Sequence, residues 1–156
     1  MLIRKASSEE MLTLWEYASA SAASLRAKFF YNNIDTRNAV FWTVEHESEL
    51  IGELYAFYDL EDKDFADGDN TAYLCAFRIR EDYRGKGIGT KLLCEVLSSL
   101  KVAGYTRATI GVSPGEERNI KLYQSQGFIT KVKDCYLDPC ARDDNMRQKQ
   151  AETHLE

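Results

Sequence analysis

The sequence predicts an α+β chain: a mostly antiparallel, twisted central sheet of six to seven strands, flanked by about four helices. Three observations carry that reading. Strand-like runs over residues 39–45, 50–58 and 71–79 succeed one another without a helical pattern between them, which favours an antiparallel meander. Ile88, Leu92, Leu93, Val96, Leu97 and Leu100 then recur at a helical period over residues 87–100. The remainder of the chain alternates strand, helix and strand, so its two halves differ in character.

In chain order, residues 2–6 form a short strand. Ser7-Ser8-Glu9-Glu10 suits a helix N-terminus, with a hydroxyl for an orphan amide and acidic groups against the positive end of the dipole. Met11, Leu12, Leu14, Trp15 and Ala18 supply the apolar face. After small residues at 19–24, a second helix carries Leu25, Phe29 and Phe30, with Asn32-Asn33 as its predicted stop. Residues 39–45 and 50–58 make a hairpin across Glu47-Ser48, and 59–70 form a polar loop before the strand at 71–79. Gly104 lies beyond the helix at 87–100 as a stop signal. Strands are expected at 106–112 and 128–137, with a turn at Ser113-Pro114-Gly115 and a helix over 116–125 ended by Gly127. Residues 138–142 read as a turn, with a weak last strand around Met146.

The chain has 156 residues, 25 acidic against 20 basic side chains and a net charge of −5. At this size a fold buries about two thirds of the surface its unfolded chain exposes, so one core suffices. Residues 1–150 are expected to form a single domain, with 151–156 a polar tail. The acidic balance excludes nucleic-acid binding through overall charge. Apolar runs such as 39–44 and 54–58 fall far short of the roughly 20 residues that cross a bilayer, and residues 1–5 meet charge too soon for a secretory signal. Cys75, Cys94, Cys135 and Cys140 contain no C-x-x-C pair. Reduced buried thiols in a cytoplasmic protein are expected, with no metal site, and Cys135 with Cys140 is the pair that would join if they were oxidised. His46 at a turn and His154 in the tail read as solvated. The aromatic residues at 29–31, 41–42 and 55–58 read mostly as core, with some available to line a pocket.

The most informative stretch is residues 78–91, which joins a strand to the strongest helix. It carries five basic and two acidic side chains, a local charge of +3, and three glycines, Gly85, Gly87 and Gly89. A glycine-rich turn at a helix N-terminus offers unpaired amides, a favourable dipole and close backbone approach to a phosphate. A Walker loop is ruled out because Gly87, not a hydroxyl residue, comes after Gly85-Lys86. A dinucleotide fingerprint needs G-x-G-x-x-G after an early strand of a parallel sheet, which this is not. A tight turn with incidental basic residues is the plain alternative.

Arg84-x-x-Gly87-x-Gly89, preceded by Tyr83 and an apolar strand, resembles the cofactor loop of the GNAT N-acetyltransferases. Leu122-Tyr123, with Gly127-Phe128 after it, is similar to a second signature of that family, and the element order agrees over residues 2 to about 150. The resemblance implies a GNAT fold and an acetyl-CoA co-substrate. Its pyrophosphate would lie on the amides of Arg84, Gly85, Lys86, Gly87, Ile88, Gly89 and Thr90, and its pantetheine arm and acetyl carbonyl on backbone groups of Phe77, Arg78 and Ile79. Tyr123 would be the general acid that protonates the leaving thiolate after direct attack by an amine in a ternary complex. The alternative for Tyr123 is a core aromatic on an amphipathic helix.

Three positions depart from the family. Glu116 stands where an asparagine is usual, so Asn119, one helical turn before Tyr123, is the candidate for that contact to the cofactor arm. Glu81 replaces a common proline. Residues 71–79 contain no carboxylate for a base, which leaves Glu53 on the neighbouring strand as a weak candidate acting through water, against its default as an exposed strand glutamate. The loop at 59–70, with six acidic residues and one lysine, is either a solvated loop or a device that steers a cationic acceptor. It is expected opposite the phosphate loop, where the two early helices connect. The expected function is thus acetyl transfer to a primary amine of a small molecule or peptide, in a protein for which a homodimer is open. A noncatalytic acyl-CoA-binding module and a nucleotide-binding protein are the competing readings.

Overall fold

A computed structural model of the chain describes residues 1–113, 115–133, 139, 140 and 142. The elements are β1 (Leu2–Ala6), α1 (Ser8–Leu14), α2 (Leu25–Asp35), β2 (Ala39–His46), β3 (Glu49–Phe57), β4 (Thr71–Ile79), α3 (Ile88–Val102), β5 (Arg107–Ile110) and α4 (Glu117–Ser125). The five strands form one sheet in the order β1-β2-β3-β4-β5, antiparallel up to β4 and parallel between β4 and β5. The predicted class holds, with five strands among the described residues in place of six to seven. Residues 128–133 are not a strand, and the rest of the run to 137, like the weak strand at Met146, lies outside the described residues.

Local chemistry sets the early elements. Ser7 caps α1 in a reciprocal box: its hydroxyl accepts from the Glu10 amide, and the Glu10 carboxylate accepts from the Ser7 amide. Arg4 of β1 bonds Glu10 at 2.6 Å and Glu45 of β2 at 3.0 Å, so the helix start is tied to the sheet. The Asn32-Asn33 pair does not end α2. The Asn33 amide turns back to the Phe29 carbonyl at 2.8 Å, the helix runs on to Asp35, and Arg37 makes the break with φ of 65°. In the β2–β3 hairpin Glu47 and Ser48 have φ of 50° and 65°, a turn of the type that glycine and asparagine favour. Ser48→Gly is therefore expected to stabilise the fold by about 0.5–1 kcal/mol. A melting temperature that stays level or falls would contradict this.

Side-chain alternation divides the core into two layers. On one face α1 and α2 bring Met11, Leu12, Ala27 and Phe30 onto Phe41, Tyr55, Phe57 and Tyr73. Phe30 meets Tyr55 and Phe57 edge-on at 5.1 and 5.0 Å, the geometry ring quadrupoles prefer. On the other face α3 lays Ile88, Leu92, Leu93, Val96 and Leu100 on Val44, Leu54, Ala56 and Leu74, and Tyr123 of α4 joins them. The thiols divide as well. Cys75 and Cys140 are buried as expected, whereas Cys94 is exposed on the outer side of α3, and Cys135 lies outside the described residues. No helix among the described residues is long and apolar enough to cross a membrane.

Candidate functional site

Ladder geometry opens the site. The pairing of β4 with β5 stops at Leu74↔Ile110, while β4 runs on to Ile79 and delivers the chain to the glycine turn. Beyond that point α4 faces the end of β4 across a cleft of about 740 Å³. Phe77, Arg78 and Ile79 line it from the strand, Arg84, Gly85, Gly87, Ile88, Gly89 and Thr90 from the turn and first helical residues, and Asn119 from α4. Of the predicted cofactor residues Lys86 alone is not in this lining. Its ammonium stands 5.3 Å from the centre of the Tyr83 ring.

The turn is built for an anion. Gly87 caps α3 with φ of 78°, and Gly85 has φ of 76°, both in the left-handed region where a side chain is strained. A Cβ on either would meet nothing within 4 Å, so the space above the turn is open. The first intrahelical bond runs from Lys91 N to Gly87 O, which leaves the amides of Ile88, Gly89 and Thr90 without helical acceptors. Gly89 serves another purpose: a Cβ there would lie 3.0 Å from the Phe77 ring, so its absence lets α3 seat against β4. Arg80 is committed to Asp82 and Glu49, and Arg84 donates through Nε to the Ile79 carbonyl at 2.8 Å. Arg118, on the first turn of α4, lines the cleft too, and sequence reasoning missed it. The available signal was a cation beside Asn119 at a helix start.

Tyr123 is not among the residues that line the cleft: it is 5% exposed, its ring 6.2 Å from Phe77, which does line it, and 6.1 Å from Phe128. Burial, and then the charge of Glu116, push its phenol up to about 12. It packs as a core aromatic and keeps its proton at neutral pH. Asn119 bonds the Glu116 carboxylate at 3.3 Å, so the two residues at the asparagine's expected place act as a pair.

A bulge makes the second half of the site. Glu53 pairs with Arg78 and Tyr55 with Cys75, so Ala76 and Phe77 oppose Leu54 alone, and Ala76 takes φ of 53°. The extra residue shifts the alternation of β4. Phe77 and Ile79 turn to the α3 face, and Arg78 joins Glu53 on the α1 face. Glu53 is not the exposed strand glutamate its position suggested: it is 4% exposed, because the end of α1 covers it. Its Oε1 accepts from Trp15 Nε1 at 2.8 Å and Tyr55 OH at 3.0 Å, and its Oε2 from Arg78 Nε at 3.2 Å. Burial, then the Glu53 charge, drives the Tyr55 phenol well above its usual value. Beside this cluster lies a pocket of about 490 Å³ between the end of α1, the start of β3 and Arg78, which lines both cavities.

The acidic loop lies elsewhere. It joins the far ends of β3 and β4, whereas residues 14–17, which begin the link between α1 and α2, line the pocket at the Arg78 end, contrary to the expected layout. Nor is the loop a free negative surface. Lys133 bonds Asp62 and Asp64 at 2.7 and 2.9 Å, Lys63 bonds Asp59, and Asp67 accepts the amides of Asp69, Asn70 and Thr71. Leu60, Phe65 and Ala66 anchor it in the core.

The stretch that carries the glycine turn and the Tyr…Gly-Phe helix end falls within a family match. The acetyltransferase (GNAT) family model matches residues 7–128. The chain belongs to that family. Among GNAT folds of solved structure, a ribosomal-protein-alanine N-acetyltransferase from Brucella melitensis biovar Abortus 2308 aligns at 18% identity and TM-score 0.62, over 88% of this chain and 99% of that one. A predicted acetyltransferase with acetyl-CoA from Clostridium acetobutylicum gives 16% and 0.64, over 88% and 95%. The aminoglycoside N-acetyltransferase AAC(6')-Iy in complex with CoA gives 16% and 0.65, over 88% and 97%. At these identities the likeness is one of fold. No curated protein matches the sequence.

Proposed function

We propose that this GNAT protein is an acetyl-CoA-dependent N-acetyltransferase that passes the acetyl group to a primary amine by direct attack in a ternary complex. The observation that carries the reading is the pair of cavities meeting at Arg78, one lined by the glycine turn and Tyr123's helix, the other floored by Glu53. Two substrates held on opposite faces of β4 can react without a covalent enzyme intermediate.

The turn from Arg84 to Thr90 holds the pyrophosphate, with Arg118 as a second cation across the cleft, and backbone groups of Phe77 to Ile79 hold the arm and the acetyl carbonyl. Glu53, oriented through Oε1 by Trp15 and Tyr55, presents Oε2 as the proton acceptor for the incoming ammonium, directly or through water. The amine nitrogen bonds the thioester carbon, the carbon–sulfur bond breaks, and sulfur leaves with that electron pair and takes the Tyr123 proton. The new amide nitrogen sheds its second proton through water to the phenolate, and Glu53 returns to solvent the proton it took from the ammonium.

Thiol release with acetyl-CoA and a panel of amines tests the reaction. Turnover that depends on Tyr123 supports it. Tight acetyl-CoA binding with no turnover, and no effect of Tyr123→Phe, would favour an acyl-CoA-binding module. Stabilisation by ATP or NAD in place of coenzyme A would favour a nucleotide-binding protein. Gly87→Val, which forces a β-branched residue to φ of 78°, is expected to cost about 1–2 kcal/mol of stability and to raise the coenzyme A Kd by about tenfold or more. Calorimetric titration with coenzyme A reads the second effect.

A further inference from the structure

The pocket beside Glu53 has a charge pattern that selects among amines. We infer that Arg78 recognises an anionic group on the acceptor, so that the acceptor is a carboxylate-bearing amine, such as an amino acid or a short peptide, and not a polycation. The inference rests on the proposed acetyl transfer and names the substrate class of that site.

Four observations lead to it. Arg78 is 61% exposed at its side chain and held by a single bond, Nε to Glu53 Oε2 at 3.2 Å. Its two Nη nitrogens have no partner among the described residues, which leaves one edge of a planar cation, the shape that matches a carboxylate, facing the cavity. The neighbouring Arg80 is spent on Asp82 and Glu49, so Arg78 is the cation with donors to spare in this pocket. Glu53 accepts three hydrogen bonds from the protein, and Oε2 alone retains room for one more. One ammonium can be served there; several cannot.

Glu16 and Glu53 are the carboxylates that line this pocket, against Arg78 and Arg80, so it is not the acidic surface a polycation needs. The six acidic side chains at 59–70 that would draw a polycation sit at the other end of β3 and β4, and Asp59, Asp62 and Asp64 are already bonded to lysines. Trp15, Tyr17 and Leu50 supply an apolar wall for the part of the acceptor between its two charges. With its Nε kept on Glu53 Oε2, Arg78 can offer its free Nη edge to a ligand while the buried carboxylate stays paired.

The test compares L-amino acids and dipeptides with their C-terminal amides, and with spermidine and kanamycin, as acceptors in thiol release. The carboxylate forms are expected to exceed their amides by at least about tenfold in kcat/KM. Arg78→Gln should erase most of that preference by raising KM for the carboxylate forms and not for their amides, and Arg78→Lys should restore part of it. Equal or better use of amides and polycations, or a carboxylate preference that persists in Arg78→Gln, would overturn the inference. Saturation-transfer binding of the same amines in the presence of coenzyme A gives a readout without turnover. Binding of the carboxylate forms that is lost in Arg78→Gln, with no acetylation, would sink the proposed reaction and keep the role of Arg78. Equal binding of the amides would sink that role whether or not acetylation occurs.

Discussion

Tyr123→Phe is expected to lower kcat by about 10²- to 10⁴-fold while KM for acetyl-CoA changes by less than about threefold. The substitution removes one oxygen from a ring that already packs on Phe77 and Phe128, so the fold has little to lose. The chemistry has more to lose, because in the proposed reaction the phenol is the group that protonates the departing thiolate. A phenol pushed up to about 12 stays protonated throughout the neutral range. Its higher proton affinity makes it a hydrogen-bond donor first and a proton source second, and burial raises the proton affinity of the sulfur too. Activity should therefore show no fall between pH 8 and 10 that vanishes in Tyr123→Phe. Stability gives an independent check. The unfolded phenol loses its proton near pH 10 and the folded one near 12, so the contribution of Tyr123 is intact below 10 and is lost as the pH climbs to 12. Tyr123→Phe should remove up to about 2–3 kcal/mol of that alkaline loss, while Tyr55 and the other tyrosines shifted the same way, Tyr58 and Tyr105 among them, keep the rest. A variant with full activity, or one whose stability falls as steeply from pH 10 to 12 as the parent's, would show that the phenol does neither job.

The glycine-turn side of the candidate site is legible in the sequence because its signals are local. Arg84 to Thr90 are contiguous, the strand before them and the helix after them emerge from periodicity, and Tyr123 is marked by the Gly127-Phe128 that closes its own helix. The pocket beside Glu53 depends on contacts that no local pattern announces. Glu53 is buried because α1 folds back and sets Trp15 on it, a meeting of residues 38 positions apart. Arg78 faces Glu53 only because Ala76 inserts a bulge, and alanine is not a residue that advertises positive φ. Without the bulge, simple alternation would have put Arg78 on the face of α3. The stop assigned to Asn32-Asn33 failed for a related reason: an asparagine favours a break when its side chain competes for local backbone, and Asn33 instead bonds backward to Phe29 and accepts from Asn38. The acidic loop looked solvated because its charges dominate its composition, while the apolar Leu60, Phe65 and Ala66 that fix it are few.

Glu53→Ala should be the most destabilising single change in the site, by about 3–5 kcal/mol, whereas Glu53→Gln should cost about 1–2 kcal/mol. The alanine leaves Trp15 Nε1 and the wholly buried Tyr55 hydroxyl without an acceptor, and opens a cavity where Arg78 had its anchor. The glutamine keeps an oxygen at Oε1 and the shape of the side chain, but gives up the charge that faces Arg78 and the capacity to take a proton. Stability and catalysis should therefore separate. In denaturant unfolding Glu53→Gln should lie close to the parent and Glu53→Ala far below it. In thiol release at saturating acceptor both should fall by about 10² or more, as the loss of a general base requires. Tyr55→Phe tests the same cluster from the other side: paired with Glu53→Ala it should be strongly non-additive, since both remove one shared hydrogen bond. If Glu53→Gln were as active as the parent, Glu53 would be a brace between α1 and β4 and not the base. If Glu53→Ala were as stable as the parent, the three hydrogen bonds converging on it would not hold in solution.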